Sequence, residues 1–334
     1  MRLSLLNRTA EFVRLVRPSN AVSQMVSLVS ELRPDSCVVA EVRASPNHNE
    51  RKNDMEPDTI VLHYTGTRDV EDKIRQLCTP GSEISAHYVV LQDGYIIQLV
   101  PETRRAWHAG VSSWAGDTDL NSRSIGIEIA NRGHEHGYPD FPRRQIAAVT
   151  TLCRSILTRH DVPADRVLAH SDVAPARNVD PGEKFPWKLL ANSGIGLWVK
   201  PVPLTRGGPI NVLGETDPAI EEVQRLLARY GYGVAATGYF DSTTRDAAAA
   251  FQRRFRPMRV DGVVDASNHC NIEVIDCRAR RVAVSLDHGD IAPDGILLQT
   301  LAGVKVLGQM AARQMNVCLP TPRREKTRRM PTDQ

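Results

Sequence analysis

Apolar runs rich in β-branched residues cover 58–65 and 86–100, the second broken by a turn at Asp93-Gly94. Both stretches read as strands. Residues 69–78 lie between them as a short helix. Over Ser124–Asn131, Ile125, Ile127 and Ile129 fall on one face and Gly126, Glu128 and Ala130 on the other. A strand here aims Glu128 away from the isoleucine face. Apolar positions at Ile146, Val149, Leu152, Cys153 and Ile156 predict a helix over 143–160, and Arg166–His170 reads as a last strand. Alternating strands and helices predict an α/β or α+β sheet covered by helices.

The stretch Val202–Pro218 is rich in Pro, Gly and Thr and reads as a linker. Beyond it, Val223, Leu226, Leu227 and Tyr230 form an amphipathic stripe that ends at Gly231-Tyr-Gly233. Asp241 is placed to cap a second helix running through Ala247 and Phe251 to Phe255. Gly238-Tyr-Phe-Asp241 is echoed by Gly262-Val-Val-Asp265. The segment after Asp265 has no clean helical stripe, although Ser285–Gly308 fits a strand and a Leu-rich helix. The expected organisation is therefore an N-terminal extension (1–40), a first domain (41–200), a linker (201–218), a small helical domain (219–270) and an unassigned tail (271–334).

Composition adds exclusions. With 334 residues, 41% of them hydrophobic, the chain has room for two modest domains with real cores. A net charge of +3 gives no electrostatic case for nucleic acid. The basic run Pro322–Arg329 reads as a solvated tail. None of the six cysteines forms a CxxC pair, which argues against a cysteine metal site; Cys78 and Cys153 read as buried thiols. No stretch approaches the roughly 18 apolar residues of a membrane span. The N-terminal residues lack the uninterrupted apolar core of about 7–15 residues that a secretory signal needs.

The chemistry concentrates in Val167–Gly182, where His170 and Asp180 share a Pro-punctuated loop after a short apolar run. Upstream, Ile60-Val-Leu-His-Tyr-Thr-Gly66 carries His63 near the end of a β-like run. Neutral imidazoles and a carboxylate suit Zn²⁺, and two His with one Asp leave a fourth position for water. Periodicity does not bring His63 to His170, and a lone histidine in an apolar strand is more often a packed core residue.

Ordered fragments decide between these readings. Ser45-Pro-Asn-His-Asn-Glu-Arg51, Ile60-Val-Leu-His-Tyr-Thr65, Ser85-Ala-His-Tyr-Val-Val90, Trp107-His-Ala-Gly110, Ser124-Ile-Gly-Ile-Glu-Ile-Ala-Asn131, His170-Ser-Asp-Val-Ala-Pro175, Asp180-Pro-Gly182, Phe185-Pro-Trp187 and Gly194-Ile-Gly-Leu-Trp198 stand in one order. Over about residues 45–199 the chain resembles the type-2 N-acetylmuramoyl-L-alanine amidases, the zinc amidase family that includes peptidoglycan recognition proteins. The resemblance implies a central mixed β-sheet flanked by helices, and one Zn²⁺ held by His63, His170 and Asp180. It also implies Glu128 as general base and then acid. The substrate implied is peptidoglycan or a muropeptide, cleaved between N-acetylmuramic acid and L-alanine in cell-wall turnover or recycling. A bacterial monomer is expected, in either the cytoplasm or the periplasm. The helical unit is similar to a small peptidoglycan-binding domain, through Val223-Gln-Arg-Leu-Leu227, Thr237-Gly-Tyr-Phe-Asp241, Thr244, Phe251-Gln252 and Asp261-Gly262.

One departure stands out. Many bacterial members of the family carry a lysine two residues before the last ligand, and Asn178 is there instead. Asn178 or Arg177 is expected to assist the oxyanion, or Arg177 to bind a stem-peptide carboxylate. Trp107 and His108 are expected to face substrate, Trp114 to be either a stacking surface or a core residue, His87 to be a buried hydrogen-bonded histidine, and Asp172 to organise the ligand loop. His134, His136, His160, His269 and His288 read as incidental. A non-catalytic peptidoglycan-binding protein is the alternative. A zinc protease is disfavoured because no His-Glu-x-x-His motif is present.

Overall fold

The computed structural model describes residues 33–201 and 213–265. Most of the extension, the centre of the linker, the tail, and with them His269, His288, the 285–308 segment and the basic run lie outside the described residues. The strands are β1 (Glu41–Val42), β2 (His48–Glu50), β3 (Thr59–Tyr64), β4 (Tyr88–Val90), β5 (Ile96–Gln98), β6 (Arg104–Ala106), β7 (Ser124–Ile129) and β8 (Val167–Ala169). The helices are α1 (Val70–Cys78), α2 (Leu120–Arg123), α3 (Arg143–Leu157), α4 (His170–Val173), α5 (Trp187–Ala191), α6 (Pro218–Tyr230) and α7 (Ser242–Phe255).

Six strands form a mixed sheet in the order β1-β5-β4-β7-β3-β8, and β2 pairs with β6 in a separate antiparallel ribbon. Only β4 and β5, the two arms of the predicted Asp93-Gly94 hairpin, run antiparallel within the main sheet. The two-residue period sorts side chains as expected. Ile60, Leu62, Ile125, Ile127 and Ile129 pack with Ile146, Val149, Leu152, Cys153 and Ile156 of α3 into one core. The opposite face is shared. Ile74 and Leu77 of α1 cover Val89 and Ile97, while Val61 and Leu168 join the core of the helical unit. Parallel register sets His63 directly opposite Glu128, near the carboxyl ends of β3 and β7.

The helical unit is built on an internal repeat that explains the sequence echo. Gln224 Oε1 accepts from the backbone N–H groups of Thr237 and Gly238, and Gln252 Oε1 does the same for Asp261 and Gly262. Asp217 and Asp241 cap α6 and α7 through Ala219 N and Thr244 N, and α6 ends at Gly231, whose φ of 139° is open to glycine. A Cβ there would overlap the Trp114 indole. Trp114 is 1% exposed and packs edge-on against Tyr230 and Tyr232, so of its two readings the core residue holds and the stacking surface does not. Cys153 is buried as expected, its thiol pushed up to about 12 by burial, whereas Cys78 is half-buried.

A buried charge cluster ties α3 to the β5–β6 turn. Glu102 accepts from Tyr88 Oη (2.6 Å), Arg159 Nη2 (2.6 Å) and Arg159 Nε (3.0 Å), and His160 Nε2 lies 2.8 Å from its carboxylate. His160 is therefore part of the framework, not incidental. Burial raises the Glu102 carboxyl, but the His160, Arg159 and Tyr88 contacts outweigh it and bring it down to about 2. A depressed carboxylate stabilises the fold above its unfolded value and loses that contribution as pH falls through the folded one. Glu102→Gln should lower stability by about 3 kcal/mol at pH 7. The difference from wild type should close between about pH 5 and 2, as read by urea denaturation across that range.

Candidate metal centre

The three predicted ligands arrive from different parts of the chain. β3 delivers His63, the β8–α4 junction delivers His170, and the loop after α4 delivers Asp180. Asp180 Oδ2 lies 3.3 Å from His63 Nδ1 and 3.1 Å from His170 Nδ1. One donor atom from each residue falls within 4.8 Å of the others, so the cluster could hold a metal ion. The site opens at the carboxyl ends of parallel strands, the usual crevice of such sheets.

Each ligand is oriented by a partner behind it. His63 Nε2 lies 3.1 Å from His108 Nδ1, and His108 Nε2 lies 3.1 Å from Ser124 Oγ. His170 Nε2 lies 2.9 Å from the Asn178 amide and 3.4 Å from the Ala109 carbonyl. With His108 Nδ1 and the Ala109 carbonyl as acceptors at the ε nitrogens, both δ nitrogens face Asp180 and are left for a metal, as outer partners of ligating histidines commonly arrange. Asp180 is set by its carbonyl, which accepts from Ser171 N (3.0 Å), and by Tyr138 Oη donating to Pro181 O (2.7 Å). Asp172 Oδ2 accepts from Ala169 N (2.9 Å) just before His170, so it organises the ligand turn.

The electrostatics suit a divalent cation. Burial and the neighbouring His170 both hold the His63 imidazole below its ordinary pKa, favouring the neutral ring that ligates. Burial alone would raise Asp180, but the His170 and His63 rings outweigh it and keep the carboxyl ionised. Glu128 is 6% exposed, and its Oε2 is buried with no hydrogen-bond partner. An orphaned carboxylate oxygen beside a ligand cluster is a costly arrangement in a purely structural residue. Its Oε1 lies 3.9 Å from Lys73 Nζ.

Other expected site residues are placed differently. Both ring nitrogens of His108 face protein partners, and the ring packs on Gly126, where a Cβ would overlap it. It stands behind His63, away from the role of a free substrate contact. Asn178 meets the back of His170. Arg177 donates to the carbonyls of Ala109 (3.2 Å) and Val111, bracing the 109–111 loop. Trp107 is half-buried, and its indole N–H donates to Asn49 Oδ1 (2.8 Å). His87 is fully buried as expected; burial and the adjacent Arg51 bring it down to about 3 while Nδ1 accepts from Gly126 N. His134 was read as incidental, yet it stacks on Tyr138 and lies 3.1 Å from Glu183, within the same loop support as Asp180. Lys73 escaped the sequence reading, because a lysine in an acidic first turn looks like a solvent-facing residue.

Comparisons with known proteins show what the chain is similar to. A family model for N-acetylmuramoyl-L-alanine amidase matches residues 53–183, and a model for a peptidoglycan binding domain matches residues 216–267. The chain is 37% identical to the N-acetylmuramoyl-L-alanine amidase AmiD of Escherichia coli over 65% of its own length and 81% of that protein. It is 34% identical to the 1,6-anhydro-N-acetylmuramyl-L-alanine amidase AmpD of Citrobacter freundii over 45% of its length and 88% of that protein. Among solved structures, E. coli AmiD in complex with anhydro-N-acetylmuramic acid-L-Ala-D-gamma-Glu-L-Lys aligns with TM-score 0.56 and 34% identity, covering 67% of this chain and 90% of that one. AmpDh3 of Pseudomonas aeruginosa aligns with TM-score 0.55 and 32% identity, covering 71% and 95%.

His108→Ala removes the group behind His63 without touching a metal ligand. Affinity for Zn²⁺, read by competition with a chelating dye, should fall roughly 10–100-fold while KM for substrate stays near wild type. Unchanged affinity with a raised KM would instead make His108 a substrate contact.

Proposed function

The chain belongs to the N-acetylmuramoyl-L-alanine amidase family, and on that premise we propose that it is a zinc-dependent hydrolase of the amide between N-acetylmuramic acid and L-alanine. The observation that carries the reading is the convergence of His63, His170 and Asp180 beside the orphaned carboxylate of Glu128. Residues 41–200 form the catalytic domain in this reading, 201–218 the linker and 219–270 the wall-binding unit, with 1–40 as an extension and 271–334 as an unassigned tail. The relatives are bacterial enzymes of peptidoglycan metabolism, which supports a role in cell-wall turnover or recycling. The likeness to AmiD, solved with an anhydro-muropeptide, supports that substrate class. Among the described residues no helix is long and apolar enough to cross a membrane.

His63 and His170, with their δ nitrogens, and Asp180, with a carboxylate oxygen, would hold one Zn²⁺. Zinc so held supplies a water of lowered pKa, near 7, and Lewis acidity toward the amide carbonyl. Glu128 has the free oxygen to take a proton from the attacking water and deliver it to the leaving amine, a role for which a fixed, partly desolvated carboxylate is suited. The Ala109 carbonyl behind His170 and His108 Nδ1 behind His63 can accept from the ε N–H groups, the tautomers in which the δ nitrogens ligate, while Asn178 packs its amide against the back of His170. Lys73, next to Glu128, brings the positive charge that Asn178 does not supply. Arg177 and Trp107 shape the rim on which the substrate rests. A complete ligand set and an available carboxylate favour catalysis over the alternative of a non-catalytic binder.

Digestion of sacculi and of soluble anhydro-muropeptides, read by mass spectrometry, tests the proposal. Stem peptides should be released, release should stop with chelator and return with Zn²⁺, and the preferred substrate reads out the working compartment. Glu128→Ala should keep its zinc and lose at least about 10²-fold in kcat. Turnover that ignores chelation, or full activity in Glu128→Ala, would overturn the reading.

A further inference from the structure

The helical unit resembles a wall-binding module, but its inner face is spent on the ligand turn. Tyr232, 2% exposed, donates its hydroxyl to Asp172 Oδ1 at 2.6 Å. Arg254, equally buried, has Nη1 3.7 Å from Asp172 Oδ2. The same guanidinium donates to the carbonyls of Val167 (2.8 Å) and Leu197 (2.7 and 3.1 Å) and lies over the Trp187 ring at 4.0 Å. Asp172 in turn receives Ala169 N. Val167–Ala169 is the strand that leads into His170, so the unit grips that segment on both sides of the ligand. Trp114, the Gly231 carbonyl bonded by Ala115 N, and the shared apolar cluster of Val61, Leu168 and Val173 with α6 and α7 make the grip continuous.

We propose that the helical unit is a working part of the metal centre: Tyr232 and Arg254 are positioning residues that fix the His170 turn through Asp172. The inference rests on the reading of His170 as a zinc ligand. A buried carboxylate that accepts from both a neighbouring N–H and a remote hydroxyl couples the two groups it joins. Removing the remote donor leaves one carboxylate oxygen underpaired and frees the turn to shift. Affinity for metal depends on such outer contacts because ligand directions must be held before the ion arrives.

Tyr230 provides an internal control. It lies in the same cluster, and its hydroxyl is buried without a hydrogen-bond partner. Full-length Tyr232→Phe and Tyr230→Phe each lose one oxygen and keep the ring. Zn²⁺ affinity measured by chelator competition, with thermal unfolding of the metal-free proteins in parallel, should separate them. Tyr232→Phe should bind Zn²⁺ about tenfold more weakly than wild type, with excess Zn²⁺ restoring turnover, while Tyr230→Phe matches wild type. Equal affinity of Tyr232→Phe and wild type, or an equal loss in both variants, would overturn the proposal. Wild-type protein that binds no Zn²⁺ would overturn the underlying reading of the site instead.

Discussion

Two imidazoles and a carboxylate must meet at one point at the edge of a sheet, and much of the chain serves that requirement. None of the three is positioned by its own element alone. His63 leans on His108, His170 on Asn178, and Asp180 on a loop braced by Tyr138 and Ser171. Each brace is itself buried or half-buried, so the directions of the ligand atoms are fixed by packing as well as by hydrogen bonds. Such preorganisation would let the three ligand atoms receive a metal ion without first rearranging.

The sheet makes the rest possible by treating its two faces differently. The isoleucine face is sealed by α3 and carries no chemistry. The other face is covered in two patches, by α1 over β4 and β5 and by α6 and α7 over β3 and β8. His63 and Glu128, paired across β3 and β7, stand on this second face. Burial without full pairing is expensive for a carboxylate, and Lys73, 3.9 Å from Glu128, offsets part of that cost. That local cost falls at the group on which the proposed chemistry turns, where strain of this kind has a use.

Much of this was legible in the chain. The period-two pattern of Ser124–Asn131 placed Glu128 opposite the isoleucines, and β3, β4, β5, β7, β8 and α3 fall within or close to their predicted limits, whereas the short β1, β2 and β6 carry no pattern that announces them. Strand order was not legible, because alternation says which face a residue takes but not which strand lies beside it. The meeting of His63 with His170 is a product of that order: β8 pairs with β3 although a long stretch of chain separates them. The surroundings of His108 and Trp114 were not legible for a related reason. A histidine or tryptophan in a loop carries no sign of whether it faces solvent or a neighbouring domain. Lys73 went unseen because its significance lies in a contact with β7, across a helix–sheet packing that no local pattern records. The grip of Tyr232 on Asp172 likewise joins residues from units that read as separate domains.

The central claim is that one metal ion is held by His63, His170 and Asp180 with a position left open. Zinc K-edge X-ray absorption on the zinc-loaded protein addresses it directly. The account predicts two imidazoles and two oxygen ligands at about 2.0–2.2 Å, with no sulfur scattering. A third imidazole, drawn from His108 or His134, or any sulfur ligand would contradict it.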